Sequence, residues 1–447
     1  MARLQRRQLL LGAAGLAAPA ILRAQGANAR VVVVGGGFGG ATVARYLRTW
    51  APRVQVTLVE PAERFVTCPF SNHYLAGLRS WDSISHGYDG LRAAGVQVIH
   101  ARAEDVDGQR RSLRLHTGQE LPWDRLVLSP GVDMRWGALE GYDEAAAELA
   151  PHAWKAGAQT RLLRRQLEAM PDGGLFVMVI PDNPFRCPPG PYERASLVAH
   201  YLQQHKPRSK ILLLDAKNNF SKKELFLPAW KTLYGDRIEW VSLAEDGQVV
   251  RVDARALEVE TLFGTRHRAD VLNVIPPQKA GLIAARAGVL DASGWAPVRG
   301  ENFASKQVAG IHVLGDAALA GPMPKSGFAA NNQGKLVAAA IAAELTDQRA
   351  PTAWYANTCY SLLAPGYGIS VAGVYRAEQG RLIEVAGAGG VSPLDAPPAF
   401  RAAEAAYGEA WYAAISADTY QAIWGCIEHQ AIQRNHGASA DACLLHR

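Results

Sequence analysis

Short apolar runs that alternate with helical periodicity, a glycine-rich turn after the first of them, and a length of 447 residues together predict an α/β chain. The expected architecture is two Rossmann-like nucleotide-binding domains plus a smaller C-terminal α+β interface domain. Runs such as Val31–Val34, Leu175–Ile180 and Ile211–Leu214 are apolar without alternation, as strands covered on both faces of a parallel sheet are. The length exceeds what one hydrophobic core ordinarily serves. We expect an export segment over 1–29 and a first nucleotide domain over 30–150 and 281–350. A second nucleotide domain is expected over 151–280 and the interface domain over 351–447.

In chain order, Gln5-Arg6-Arg7-Gln8 precedes an apolar stretch of Gly, Ala and Leu that ends at Ile21. That stretch is too short to span a bilayer, which takes roughly 20 residues. Paired arginines before it match a twin-arginine export signal, so the expected location is the periplasm. Four of the 47 basic residues (Arg3, Arg6, Arg7 and Arg23) fall here, leaving 43 against 41 acidic ones. That near-balance gives no case for nucleic acid, and no other stretch is apolar enough to span a membrane.

Val31–Val34 runs into Gly35-x-Gly37-x-x-Gly40, then a helix to Trp50, then a second strand, Val54–Val59, ending on Glu60. Each glycine has a task. Gly35 permits the tight turn, Gly37 lets a pyrophosphate approach the backbone beside Phe38, and Gly40 lets the helix pack on the strand. Phosphates are favoured at the helix N-terminus by unpaired N–H groups and the helix dipole. Glu60 is placed to accept from ribose hydroxyls. Dinucleotide binding follows.

Beyond it we expect a helix over Trp81–Gly95, strands at Val96–Ile99, Ser112–His116 and Arg125–Leu128, and a turn Ser129-Pro130-Gly131. That turn resembles the second cofactor contact of flavin domains of the disulfide-reductase kind. An amphipathic helix over Lys155–Met170 marks a boundary. After strand Leu175–Ile180, a second glycine fingerprint would hold NAD(P)H. The chain instead has five prolines between Pro181 and Glu193, and proline removes the N–H donors such a cradle needs. This disfavours an NAD(P)H-driven reductase. Strand Gly310–Leu314 ends in Gly315-Asp316, where Asp316 suits a flavin ribityl hydroxyl or a helix N-cap. Met323-Pro324-Lys325-Ser326-Gly327 opens a helix whose N-terminus, with Lys325, could face the flavin pyrimidine ring.

Val66-Thr67-Cys68-Pro69-Phe70-Ser71-Asn72 and Phe185-Arg186-Cys187-Pro188-Pro189-Gly190-Pro191-Tyr192-Glu193-Arg194 resemble the flavoprotein subunit of flavocytochrome c sulfide dehydrogenase. The resemblance runs from about Arg30 to Thr419. It implies disulfide-reductase-type nucleotide domains, FAD joined covalently to Cys68 through the 8-methyl carbon, and a redox-active Cys187–Cys359 disulfide beside the flavin. Taken alone, Cys68 is a buried thiol and the other two a structural bridge. The implied reaction is attack of hydrosulfide on the disulfide, giving a persulfide and a released thiolate, taken as Cys359. Electrons pass through FAD to a separate c-type cytochrome subunit in a heterodimer, since no C-x-x-C-H occurs in the chain. Glu193 reads either as acid/base or as a first-turn residue favoured by the helix dipole. No metal site is expected. Cys426 and Cys443, in a tail that departs from the family, could pair with each other or lie in a poorly ordered segment. A sulfide:quinone oxidoreductase is the second reading, and a flavin-bearing accessory protein of sulfur oxidation is the non-enzymatic one.

Overall fold

The computed structural model describes residues 29–422. All but the last residue of the expected export segment, and both Cys426 and Cys443, lie outside the described residues.

The first unit is a five-stranded parallel sheet. It comprises β1 (Arg30–Val34), β2 (Gln55–Val59), β3 (Gln97–Ile99), β4 (Arg125–Leu128) and β9 (Ile311–Val313), in the order β9-β4-β1-β2-β3. Helix α1 (Phe38–Trp50) follows β1 across the glycine turn. The return of the chain at β9, after the whole second unit, completes this sheet. Val31, Val33, Leu58, Leu126 and Leu128 are fully buried, which is why these strands read as unbroken apolar runs.

The second unit is a four-stranded parallel sheet of β5 (Leu175–Ile180), β6 (Lys210–Asp215), β7 (Ile238–Val241) and β8 (Val271–Val274), ordered β7-β6-β5-β8. Helix α2 (Ala158–Ala169) precedes β5, α3 (Gly190–His205) follows it, and α4 (Lys223–Tyr234) follows β6. Strand β5 feeds both faces. Phe176, Met178 and Ile180 join one core, and Val177 and Val179 the other. Each such side chain contributes about 1.5–3 kcal/mol on burial.

After α5 (Gly327–Leu345), the C-terminal unit is an antiparallel sheet of β10 (Trp354–Ala364), β11 (Tyr367–Glu378) and β12 (Arg381–Glu384). It is covered by α6 (Pro398–Tyr420). The α/β class and its two Rossmann-type units are as the sequence predicts.

The helix expected over Trp81–Gly95 is not formed as one element. A 3-10 turn (Asp82–Ile84), a two-residue strand (Ser85–His86) and a short helix (Asp89–Ala93) take its place. Gly87 and Gly90 interrupt the segment, and glycine costs a helix interior about 1 kcal/mol. Gly90 is also demanded from outside, since a Cβ there would meet Tyr420 O at 2.1 Å. The expected helix over Lys155–Met170 begins only at Ala158, after Gly157 at φ 152°.

Candidate active site

The glycine turn behaves as its spacing requires. Gly35 has φ +100°, and a Cβ on it would lie 2.2 Å from Ser129 O. A Cβ on Gly40 would lie 2.0 Å from Gly35 O. At Gly37, by contrast, the nearest atoms are Phe65 ring carbons at 3.4 Å, so the space above it is open to a ligand. Glu60 ties the loop down, its Oε2 accepting from Gly36 N at 2.8 Å and its Oε1 from Ala62 N at 3.0 Å. A carboxylate offers about four lone-pair sites, which leaves room for ribose hydroxyls. Gly35, Gly37 and Glu60, with Phe38, Ser129, Gly131 and Asp316, line one cleft, while Gly40 lies behind it.

Asp316 carries the test of fit for a flavin. Its side chain is largely buried beside Arg186 (Nη1–Oδ2 3.8 Å), and its Oδ1, wholly shielded from solvent, has no hydrogen-bond partner among the described residues. A buried acceptor left unpaired costs about 1–3 kcal/mol, and a ribityl hydroxyl would satisfy it. Burial raises its pKa, opposed by Arg186 and Lys325. Lys325 itself does not line the cleft. Its ammonium donates to the carbonyls of Asp316 (2.8 Å) and Ala318 (2.7 Å) and sits over the Trp295 ring. The side chain expected to face the cofactor is thus a brace for the Asp316 turn, and burial lowers its pKa to about 8. Arg186 does line the cleft, with Arg64 and Lys155; it is adjacent to Cys187, and the motif around that cysteine carries it with no role assigned.

A second cavity, of about 90 Å³, adjoins the cleft. Cys68, Pro69, Arg186, Ser326 and Gly327 line both. Cys187, Cys359 and Glu193 line the second. Cys187 comes from the turn before α3 and Cys359 from β10 of the C-terminal unit, so two units meet to bring the thiols together. The structure holds Cys68, Cys187 and Cys359 as free thiols; the Cys187–Cys359 bond is not formed in it. Cys68 Sγ donates to Trp154 O at 3.5 Å.

The walls are built under strain. Phe70, Ala153 and Cys187, all lining the cavity, have φ of 64°, 45° and 55°. A left-handed backbone costs a non-glycine residue about 1–3 kcal/mol and gathers at functional sites. Gly190 leaves room for sulfur, since a Cβ there would stand 3.0 Å from Cys187 Sγ.

Buried polar groups fix the rest. Glu193, in the first turn of α3, accepts from Asn72 Nδ2 (2.9 Å) and from Leu362 N (2.9 Å). Burial raises its pKa, against those two hydrogen bonds and the charge of Lys222. Arg194 donates to Asn72 Oδ1 and to the carbonyls of His152 and Ala153. Burial also pushes the Cys187 thiol up, reinforced by Cys359 and Glu193. Asn72 could have been suspected from its place four residues after Cys68. Lys222 and Asn357, which reach Cys359 (Lys222 at its backbone carbonyl), carry no sequence signal.

At the end of β6, where a nicotinamide dinucleotide would seek a ribose-binding acid, Asp215 is fully buried and already accepts three hydrogen bonds. Tyr192 Oη (2.6 Å) and Trp240 Nε1 (3.0 Å) donate to its Oδ2, and Lys217 Nζ (2.6 Å) to its Oδ1. Phe220 stacks on Tyr192 at 3.6 Å between ring centroids. The protein's own side chains occupy that carboxylate.

Residues 160–276 match the family model for the central part of the sulfide dehydrogenase [flavocytochrome c] flavoprotein chain. Residues 351–420 match the flavocytochrome c sulphide dehydrogenase flavin-binding model, and 29–169 the pyridine nucleotide-disulphide oxidoreductase model. The sulfide dehydrogenase flavoprotein chain of Chlorobaculum thiosulfatiphilum is 72% identical over 43 residues, 10% of this chain and 90% of that sequence. The mitochondrial sulfide:quinone oxidoreductase of Mus musculus is 23% identical over 302 residues, 64% of this chain; the match spans 65% of the mouse protein's length. In fold, the chain resembles the sulfide:quinone oxidoreductase of Aquifex aeolicus, with a TM-score of 0.66 at 18% identity over 92% of this chain and 96% of that one.

Proposed function

The chain belongs to the flavocytochrome c sulfide dehydrogenase flavoprotein family, and on that premise we propose that it is a periplasmic sulfide dehydrogenase subunit working with a c-type cytochrome. One observation carries the reading. Two cysteines from different units, Cys187 and Cys359, share a cavity that meets the cofactor cleft at Cys68 and Arg186.

Gly35, Gly37 and the N-terminus of α1 would hold the FAD pyrophosphate, Glu60 the ribose, and Asp316 the ribityl chain, with Cys68 as the covalent tether. Bound FAD supplies an acceptor for an electron pair that can be passed on singly. The protein's own part starts with a Cys187–Cys359 disulfide. Hydrosulfide attacks one sulfur, the S–S bond breaks, and a cysteine persulfide and a cysteine thiolate result. Glu193, whose pKa burial raises and which lines the same cavity as Cys187, would exchange a proton with the sulfur there. The persulfide sulfur then leaves as zero-valent sulfur or polysulfide.

The test is to acid-precipitate the purified protein and map flavin by peptide mass. Flavin on the peptide containing Cys68, absent from Cys68→Ala, is the expected result; flavin wholly in the supernatant removes the tether and favours the quinone reading. That second reading is supported by the likeness to the Aquifex aeolicus fold. Among the described residues no helix is long and apolar enough to cross a membrane. Bleaching of the flavin by sulfide separates either enzyme from an accessory flavoprotein.

A further inference from the structure

The two cysteines are not equivalent in their surroundings. Asn357 Nδ2 donates to Cys359 Sγ at 3.4 Å. The amide oxygen accepts from Ser326 Oγ at 2.6 Å and is reached by the Cys359 thiol at 3.9 Å; once the sulfur is a thiolate, only the orientation that presents Nδ2 keeps a hydrogen bond to it. Ser326 in turn caps α5, accepting from Ala329 N at 3.0 Å. Among the described residues no N–H or O–H donor reaches Cys187 Sγ.

A buried cation also sits behind Cys359. Lys222, at the N-terminal end of α4, is buried, and its own backbone is left-handed at φ 65°. Its ammonium donates to Cys359 O (2.9 Å) and Ser361 Oγ (2.8 Å). It thus reaches from the second nucleotide unit to β10 to sit behind Cys359. The ionisable groups that face it are Cys359, Glu193, Cys187 and Glu404, with the Cys359 sulfur the strongest of them. Burial lowers the lysine to about 8, so that each of these neighbours helps to hold its proton. Cys187 faces the Glu193 carboxyl and the guanidinium groups of Arg186 and Arg194, neither of which donates a hydrogen bond to its sulfur.

We propose that Asn357 and Lys222 form a thiolate cradle that fixes the polarity of the cysteine pair, placing negative charge on Cys359 and the incoming sulfur on Cys187. The inference rests on the reading above that the two act as a disulfide. The step balances. Hydrosulfide sulfur bonds to Cys187 Sγ, the Cys187–Cys359 bond breaks, its electron pair goes to Cys359 Sγ, and the hydrosulfide proton stays on the persulfide or passes to a base. No further oxidant is needed. Asn357 touches the reacting sulfur; Lys222 is a positioning residue that acts through charge.

The experiment treats the flavin-loaded, oxidised protein with stoichiometric methanethiolate, a nucleophile that marks the attacked sulfur with a methylthio group. Free thiols are then capped with iodoacetamide under denaturing conditions and the peptides mapped. The wild type is expected to carry methylthio on Cys187 over Cys359 by about tenfold or more. Lys222→Met and Asn357→Leu should each lower that ratio several-fold, and Lys222→Arg should keep it. Flavin content and near-ultraviolet circular dichroism report whether each variant is folded, and two independent sites guard against one failing. An unchanged ratio in folded Lys222→Met and Asn357→Leu overturns the cradle, as does loss of the bias in Lys222→Arg. Cys187 and Cys359 mapping as separate thiols in the untreated protein would overturn the disulfide itself, a failure visible before any methanethiolate is added.

Discussion

Gly37 and Gly40 belong to one loop yet answer to different neighbours. A methyl group at Gly40 collides with Gly35 O at 2.0 Å and presses Val33 Cγ1 at 3.2 Å, so Gly40→Ala should cost about 1–3 kcal/mol or more, as overpacked cores do. A methyl group at Gly37 meets only the Phe65 ring at ordinary contact distance. Gly37→Ala should therefore fold with the flavin-free wild-type melting temperature, within about 0.5 kcal/mol, while losing most of its flavin. Thermal melts of flavin-free protein and flavin absorbance after purification check both halves. Equal loss of stability in the two variants would mean the loop has no space reserved for phosphate. The same comparison separates what was readable from what was not. The glycine spacing and the cysteines declare themselves in sequence because a single residue type suffices to suggest the chemistry. Lys222 stands 137 residues from Cys359, and nothing in a Ser-Lys-Lys stretch indicates which ammonium will be buried against a distant strand.

At the scale of elements, the strands were legible and the irregular segments were not. Arg125–Leu128 and Leu175–Ile180 have the bounds their runs suggest, because from Leu126 and from Phe176 onward every position is apolar and buried. The stretch from Trp81 to Gly95 misled because its order is imposed by α6. That helix ends against the glycine loop. Tyr420 Oη donates to Gly36 O at 3.2 Å, and its ring packs on Phe38, Phe65 and His86. Tyr88 Oη reaches the same carbonyl at 3.3 Å. Asp418 holds Tyr46, Asn331 and Lys335. Tyr420→Ala should cost about 3–5 kcal/mol through the cavity it leaves and weaken flavin retention. Tyr420→Phe, which loses only the hydroxyl, should cost about 0.5–1.5 kcal/mol. Denaturant titration of both variants measures this, and a Tyr420→Ala protein as stable as wild type would make the end of α6 a passive cover.

For the whole molecule, burial of histidines sets the acid limit. His73 and His152 are lowered to about 3 and His86 to about 4, in each case first by burial and then by nearby arginines. Unfolded histidine titrates near about 6.5. In the native protein these rings stay neutral, so the unfolded state binds more protons below that value. Stability is then fully present above pH 6.5 or so and is lost as pH falls toward 3–4. Urea midpoints measured across this range should fall steadily. His152→Gln should flatten part of the slope; an unaltered slope would assign the acid loss to other groups. The joining of distant segments also has a consequence in time. Tyr420 lies 384 residues beyond the Gly36 carbonyl it backs. At about 5–20 residues per second on a ribosome, that separation is about 20 to 80 s of synthesis. Throughout that interval the nascent chain presents a cofactor loop whose support has not yet been made. Durable loading of the cofactor is accordingly an event late in the life of the nascent polypeptide, timed by the emergence of α6.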